Sequence, residues 1–115
     1  SAIELKVLHE RAPLFVQLSD GSIQNKYTLK VLNKTSEDLM VSVSVEADVP
    51  VTLSGAEEPI AAKHGEVNPG IVFVKIDREH LDAERLPLTF VAAATLADGT
   101  EVEAIRESAF FGPKP

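Results

Sequence analysis

The chain has 115 residues, no cysteine and a formal net charge of −7, from 18 acidic and 11 basic residues. A chain of this length forms one domain with a single core that needs no disulfide. Its 44% hydrophobic and 25% charged residues are typical of globular proteins. The negative charge disfavours a nucleic acid or an anionic membrane surface as the partner. Without cysteine, this chain has no thiol chemistry: iron–sulfur clusters, thiolate zinc sites and cysteine catalysis are all excluded.

Neither a membrane span nor a signal peptide is predicted. No apolar run approaches the roughly 20 residues of a membrane helix. Glu4 and Lys6 interrupt any apolar segment at the start, whereas a signal peptide needs an uninterrupted one. The chain as given is therefore expected to be a soluble acidic domain.

An apolar–polar alternation with a period of two runs through most of the chain, and it predicts β-strands with one buried face. The alternation is clearest at residues 39–46, where Leu39, Val41, Val43 and Val45 share one face. Residue 13 is a proline, which is tolerated at the start of an edge strand. In chain order, the predicted strands cover residues 3–7, 14–18, 27–31, 39–46, 51–53, 71–76, 88–96 and 100–110.

The turn chemistry agrees with antiparallel pairing. Asp20-Gly21 and Asp98-Gly99 stand between alternating runs, where Asp-Gly favours a hairpin. Asn68-Pro69-Gly70 is predicted to be a turn that leads into the strand at 71–76. Residues 54–67 form the longest predicted loop, and loops of this length are often functional.

Two segments depart from simple alternation. In the last strand the inward face passes from Val102 and Ala104 to Ile105, which predicts a bulge or a change of partner strand. Residues 77–85 are the only helical segment, with Asp77 as the N-cap and Pro87 after its end. The fold class is therefore all-β, an antiparallel Ig-like or fibronectin III-like β-sandwich of seven to eight strands with one short helical turn. Residues 1–115 are one domain, with residues 112–115 as a tail.

The histidines are the first candidates for a metal site. His9, His64 and His80 are about 55 and 16 residues apart, unlike the close pairs of most metal sites. Folding could unite them with carboxylates such as Glu10 or Glu66, but three separate surface histidines are the favoured interpretation. The single Met40 lies on the polar face of its strand, and one thioether is too little sulfur for a soft copper site.

No catalytic set is predicted. None of the serines has the Gly-x-Ser-x-Gly pattern around it, and clustered carboxylates are explained by solvated faces and by protection of an edge strand. Asn33-Lys34-Thr35 fits the N-glycosylation pattern, yet it is interpreted first as a turn. The serines considered are Ser19, Ser22, Ser54 and Ser108, and the carboxylate groups are Glu57-Glu58, Asp82/Glu84 and Glu101/Glu103/Glu107.

Two stretches are more particular than a general sandwich. Residues 11–34 read RAPLFVQLSDGSIQNKYTLKVLNK, and residues 110–113 read FFGP. Both resemble the Ig-like domain at the C-terminus of FixG/CcoG-type cytochrome c oxidase accessory proteins. Ala12 stands where that family commonly has Asn, and Lys26 where it commonly has Gly. The matching residues are Arg11, Pro13, Leu14, Phe15, Val16, Leu18, Ser19, Asp20, Gly21, Ile23, Asn25, Tyr27, Thr28, Lys30, Asn33 and Lys34.

This resemblance implies a larger parent protein. Family members are integral membrane proteins with ferredoxin-like iron–sulfur motifs, and they assist maturation of cbb3-type cytochrome oxidase through copper handling. The present chain would be the C-terminal domain on the periplasmic side of the bacterial inner membrane. It would touch the membrane only through the missing part, and the clusters would also lie there, so no cofactor is expected in this domain.

Two functions follow as hypotheses. The first is a non-catalytic interaction or scaffolding domain whose partners are oxidase subunits or assembly factors. Its candidate contact surfaces are the 54–67 loop and any exposed edge strand, which could accept a partner strand. The alternative is a copper- or small-ligand-binding periplasmic domain that uses the histidines, Met40 and carboxylates.

Overall fold

The computed structural model describes residues 1–115 as nine β-strands paired in two antiparallel sheets. The first sheet has the order β1-β3-β7-β5, with the two-residue β2 also paired to β3, and the second has the order β6-β4-β8-β9. The all-β sandwich prediction is confirmed. The strands are β1 (Ile3–His9), β2 (Val16–Gln17), β3 (Ile23–Asn33), β4 (Leu39–Glu46), β5 (Thr52–Ser54), β6 (Ile60–Ala62), β7 (Val67–Ile76), β8 (Arg85–Thr95) and β9 (Glu101–Phe111).

The core lies between the sheets and follows the predicted alternation. On β3 every second residue from Ile23 to Asn33 is buried, and on β8 the same holds from Leu88 to Ala94. The rings of Tyr27 and Phe90 meet edge to face across the sandwich, with centroids 5.0 Å apart. Burial of alternate side chains from both sheets supplies most of the driving force for this architecture.

The predicted strand at 14–18 is wrong in extent and in face. Only Val16 and Gln17 pair with β3, and Leu14 and Val16 are exposed. The side chain that packs against the core is Phe15, which has the opposite parity. The chain leaves the sheet between β1 and β2, so the alternation there does not report a strand face.

The predicted turn at Asn68-Pro69-Gly70 is wrong, because all three residues lie within β7 and pair with β3. The Asn33 N–H donates to the carbonyl oxygen of Glu66. Because hydrogen-bonded pairs alternate along an antiparallel ladder, the even-numbered residues of β7 are the ones whose main-chain groups bond to β3. Pro69, which has no N–H, therefore faces the other side, where β5 reaches only residues 73–75.

The predicted helix at 77–85 is reduced to one 3-10 turn, Arg78–His80. Pro87 does not end a helix, because β8 already begins at Arg85. Isolated short helices are unstable unless an apolar face anchors them, and only Leu81 in this segment is buried. The predicted 54–67 loop also contains a short strand, β6, which pairs with β4.

The predicted bulge in the last strand is wrong as well. The β8–β9 register is unbroken from Arg85 opposite Phe111 to Thr95 opposite Glu101. Ile105 does not change the parity of the strand; it is an apolar side chain on the outer face, 60% exposed.

Gly55 should tolerate alanine less well than Gly21. Both glycines have left-handed backbone, with φ of +89° and +88°, so alanine costs each about 1 kcal/mol or more in backbone strain. A Cβ at Gly55 would also lie 2.7 Å from the carbonyl oxygen of Ile71, whereas a Cβ at Gly21 meets nothing within 4 Å. Urea unfolding should show Gly55→Ala destabilised by about 1 kcal/mol more than Gly21→Ala, and equal losses would contradict the close approach of this loop to β7.

Candidate functional site

The predicted metal ligands are not brought together. His9 ends β1, His64 lies in the exposed turn between β6 and β7, and His80 ends the 3-10 turn. Neither His9 nor His64 belongs to a group of three residues with suitably close ligand atoms. Met40 is exposed on β4, in a shallow depression whose lining has two glutamates and no histidine.

One group of potential ligands does form around His80. Ligand atoms of Asp77, Glu79 and His80 lie within 4.8 Å of one another. Asp77 and Glu79 are exposed, and the histidine Nε2 lies 3.6 Å from a Glu79 carboxylate oxygen. Side chains this close in sequence and this solvated are explained by the turn that carries them.

The serine and aspartate residues near position 20 build a turn. Both the main-chain N–H and the hydroxyl of Ser22 donate to Asp20 Oδ1, at 2.9 and 2.5 Å. These hydrogen bonds, the hydroxyl's first, lower the pKa of Asp20 from its ordinary value of 3.8. Because the folded pKa is lowered, the stabilisation is present above the ordinary value and is lost as the pH falls through the folded one.

Asn33 is buried at the C-terminal end of β3 and is fully hydrogen-bonded. Its Nδ2 donates to the carbonyl oxygens of Glu37 and Ala62, at 2.7 and 2.8 Å. Its Oδ1 accepts from the main-chain N–H and the hydroxyl of Thr35. The side chain therefore ties the first sheet to β6 of the second and shapes the β3–β4 turn, which is the structural interpretation of the Asn33-Lys34-Thr35 motif.

Replacing Asn33 with alanine should lower the free energy of unfolding by about 2–3 kcal/mol, since the buried carbonyl oxygen of Ala62 and the partly buried one of Glu37 lose their donor. Denaturant unfolding measures this loss, and Ser36→Ala in the same turn, at an exposed position, is the control. A loss no larger than that of the control would show that the Asn33 hydrogen bonds do not tie the two sheets together.

Asn25 performs the matching task at the other end of β3. Its Nδ2 donates to the carbonyl oxygen of Phe111 and its Oδ1 accepts from the Phe111 N–H, both at 2.8 Å. The side-chain amide thus takes the place of a neighbouring strand beside the end of β9. Since Asn25 belongs to the first sheet and Phe111 to the second, this pair joins the sheets.

Tyr27 and His9 complete the network around Asn25. The Tyr27 hydroxyl donates to the carbonyl oxygen of Ala109 at 2.8 Å, and burial raises the tyrosine pKa. His9 Nε2 lies 2.6 Å from Asn25 Oδ1. This oxygen only accepts, so Nε2 carries the proton. The other ring nitrogen, Nδ1, is buried without a partner, and the ring packs edge-on against Tyr27 and Phe111.

An open groove runs along one side of the sandwich, between β1 and β9. One part, of about 600 Å³, is lined by residues 7–9 and Arg11 on one side and by residues of β8 and β9 on the other. A second part, of about 380 Å³, follows between residues 3–6 of β1 and residues 104–106 of β9. These two parts together are the β1–β9 groove.

Both strands beside this groove have an unpaired edge. The Gly112 N–H donates to the carbonyl oxygen of Glu84, so in this antiparallel register the even-numbered residues of β9 hydrogen-bond with β8. The main-chain groups of its odd-numbered residues therefore point away from β8. Asn25 and Tyr27 satisfy such groups at Phe111 and Ala109. From Glu103 to Glu107 no strand pairs with that edge, and β1 pairs only with β3.

The β1–β9 groove is basic in an acidic protein. Four basic side chains and two acidic ones line it, although the whole chain carries −7. Neither Arg11, Arg85 nor Arg106 has a carboxylate within 4.0 Å, and Glu4 is occupied by Lys34 at 3.1 Å. The apolar side chains of Leu8 and Ile105 in its lining are 50% and 60% exposed. The lining charges are Lys6, Arg11, Arg85, Arg106, Glu4 and Glu107.

Sequence reasoning missed the groove and most of the buried network. In the sequence, Asn25 stands out only as part of the family-like motif, whereas its side chain bonds a residue 86 positions away. The available signal was the parity of Asn25 and Asn33, which share the inward face of β3 with Tyr27. The groove left no local signal, because its two walls come from opposite ends of the chain.

Comparison with known protein families places the chain in a defined group. Residues 1–113 match the family model FixG_C, described as "IG-like fold at C-terminal of FixG, putative oxidoreductase". The structure contains no helix with the length and apolar character needed to cross a bilayer.

Individual relatives agree with this match. RdxB of Cereibacter sphaeroides is 46% identical over 57 residues, which cover 48% of this chain and 12% of that protein. The nitrogen fixation protein FixG of Rhizobium meliloti is 34% identical over 84 residues, which cover 66% of this chain and 16% of that protein. The matched region is thus a small part of each of these curated relatives.

A solved structure shares the fold. The crystal structure of a FixG-related protein from Vibrio parahaemolyticus superposes with a TM-score of 0.74 and 25% identity. The superposition covers 96% of this chain and 96% of that one. A domain of this extent therefore folds on its own.

Proposed function

Because the chain belongs to the FixG_C family, the Ig-like fold at the C-terminus of FixG, we propose that it is the non-catalytic interaction domain of a FixG-like, membrane-bound iron–sulfur protein. In this proposal the domain lies on the periplasmic side of the inner membrane. It binds oxidase subunits or assembly factors while the parent protein assists maturation of cbb3-type cytochrome oxidase. The iron–sulfur clusters belong to the rest of the parent protein.

The observation that carries this proposal is that the buried polar side chains join the two sheets, whereas unpaired strand edges stay accessible beside the β1–β9 groove. The buried polar side chains of the family-like motif, Asn25, Tyr27 and Asn33, are engaged in holding the two sheets together. The exposed side chains of Leu8 and Ile105 instead lie in the β1–β9 groove, beside the unpaired edges of β1 and β9. Such edges are surfaces on which a protein partner adds main-chain hydrogen bonds.

Deletion of this domain from the parent protein tests the proposal in the native bacterium. We expect membranes of the deletion strain to contain less assembled cbb3-type oxidase, measured by haem staining and oxidase activity. The abundance of the truncated protein is measured in parallel, so that a loss of the protein itself is recognised. Normal oxidase assembly in a strain that retains the truncated protein would overturn the proposal.

Photo-crosslinking identifies the partner. A photoreactive residue at position 105, beside the β1–β9 groove, is compared with one at position 71 on β7, which is similarly exposed. In intact membranes we expect crosslinks from position 105 to an oxidase subunit or assembly factor, and fewer such crosslinks from position 71. Crosslinks to neither class from any exposed position would contradict an interaction role.

A further inference from the structure

Resting on the proposed interaction role, we infer that the β1–β9 groove is the docking site, and that its occupant is an extended, acidic segment of a partner protein. The groove has the form such a segment needs. It follows two strands that run in the same direction, with residues 3–6 opposite residues 104–106 and residues 7–11 opposite residues 107–111. A strand-like segment lying along it meets an unpaired edge.

The edge of β9 defines where the segment would pair. Main-chain groups of Glu103, Ile105 and Glu107 point away from β8 and have no partner strand. Beyond Glu107 the side chains of Tyr27 and Asn25 occupy the edge at Ala109 and Phe111. The segment would therefore pair along residues 103–107, and its continuation past Glu107 would lie without strand pairing in the wider part of the groove, beside Arg11 and Arg85.

Charge decides the chemistry of the segment. Arg11, Arg85 and Arg106 are three of the four arginines of the chain, and all three line the groove without an ion pair. Unpaired arginines in a domain of net charge −7 attract carboxylates and steer an acidic partner to this side. Arginine also binds carboxylates with two parallel hydrogen bonds, which fixes orientation.

The outer face of β9 sets the pattern within the segment. Glu103 and Glu107 flank the exposed Ile105 there, and like charges directly opposite each other on adjacent strands are destabilising. Acidic residues of the segment would thus face the arginines, and the residues between them would be apolar and cover Ile105. The partner segment is expected to alternate acidic and apolar residues.

Peptide binding to the isolated domain tests this assignment. The probe is a fluorescein-labelled peptide of about four Glu-Val repeats. At roughly 3.3 Å per residue it spans about 26 Å when extended, which is close to the length of residues 103–111 of β9. Its matched control is the Lys-Val peptide of equal length. Fluorescence anisotropy should show binding of the Glu-Val peptide that weakens with added salt. Equal binding of both peptides, or no binding of either, would overturn the inference.

Variants of the arginines locate the site. Arg11→Glu with Arg85→Glu should weaken binding of the Glu-Val peptide by about tenfold or more, since two attractive charges become repulsive. Arg78→Glu with Lys63→Glu, at two exposed positions outside the groove lining, reverses the same number of charges and should change affinity less than about twofold. Amide chemical shifts should move at residues 7–11 and 103–107. Shift changes elsewhere would place the peptide on another surface and overturn the inference.

Two further readouts separate the alternatives. Sedimentation velocity that shows a dimer abolished by Arg11→Glu/Arg85→Glu would make a second copy the occupant and overturn the acidic-partner inference. In the parent protein, normal oxidase assembly with Arg11→Glu/Arg85→Glu but not with the domain deletion would reject the groove and keep the interaction role. If the deletion is also without effect, the proposed function itself fails.

Discussion

Replacing Asn25 with alanine should lower the free energy of unfolding by about 3 kcal/mol, because the N–H and the carbonyl of Phe111 lose their partners together with His9 Nε2. Asn25 is 1% exposed, so water does not replace the lost amide without rearrangement. Urea unfolding of the isolated domain measures the loss. We also expect amide exchange to accelerate at the end of β9.

Two substitutions make this expectation specific. Asn25→Asp keeps the shape and the accepting oxygen but replaces the donor that faces the Phe111 carbonyl, so it should destabilise about as much as alanine. Gln24→Ala, on the half-buried neighbour whose side chain has the opposite parity, should change stability by no more than about 0.5 kcal/mol. Similar losses at positions 24 and 25 would show that the amide does not join the sheets.

The same asparagines show how far the sequence predicts the fold. Apolar alternation predicted β3 only at residues 27–31, whereas the strand runs from Ile23 to Asn33. The pattern stopped early because Asn25 and Asn33 are polar residues at inward positions. Their burial is favourable only because main-chain groups distant in sequence satisfy them, and a local pattern does not contain those partners.

Prolines misled the prediction for a related reason. Pro69 and Pro87 indicate a turn and a helix end by local chemistry, yet both lie within strands. Each proline lies beyond the end of the neighbouring strand that would otherwise accept a hydrogen bond from an N–H at that position. Beside Pro69, β5 pairs only through Thr52–Ser54, and beside Pro87, β4 ends at Glu46. The lengths of neighbouring strands, and not the residue itself, made these positions acceptable.

The contrast along the outer edge of β9 links the fold to the proposed function. At Ala109 and Phe111 the edge is closed by side chains from β3, and this closure holds the two sheets in register. From Glu103 to Glu107 the same edge is open, and Ile105 is exposed beside it. An unpaired edge can pair with another chain, and the carboxylates of Glu103 and Glu107 limit which chains pair here. In the proposed interaction, the hydrogen bonds at Ala109 and Phe111 would hold the unpaired residues 103–107 in place for a partner.

Tyr27 should remain protonated in the folded domain at about pH 11, one unit above its ordinary pKa of 10.0. Burial raises its pKa, and the hydroxyl donates to Ala109 O at 2.8 Å. It is the only tyrosine, and the chain has no tryptophan, so near-ultraviolet absorption of tyrosinate reports this residue alone. We expect that absorption to appear only together with unfolding, as followed by circular dichroism. Tyrosinate formation near pH 10 with the fold intact would contradict the buried hydrogen bond.

The sign of the linked stability change follows from the raised pKa. Below pH 10 both folded and unfolded states are protonated, and the full stabilisation is present; above it only the unfolded state loses the proton. The free energy of unfolding should then fall by up to about 1.4 kcal/mol per pH unit. The Tyr27→Phe variant has no ionisable group at this position, so its pH profile reports the titration of all the other groups and serves as the control. It should lack this additional slope while losing about 1–2 kcal/mol at neutral pH, because Ala109 O loses its donor. Parallel pH profiles of the two proteins would show that Tyr27 ionises independently of the fold.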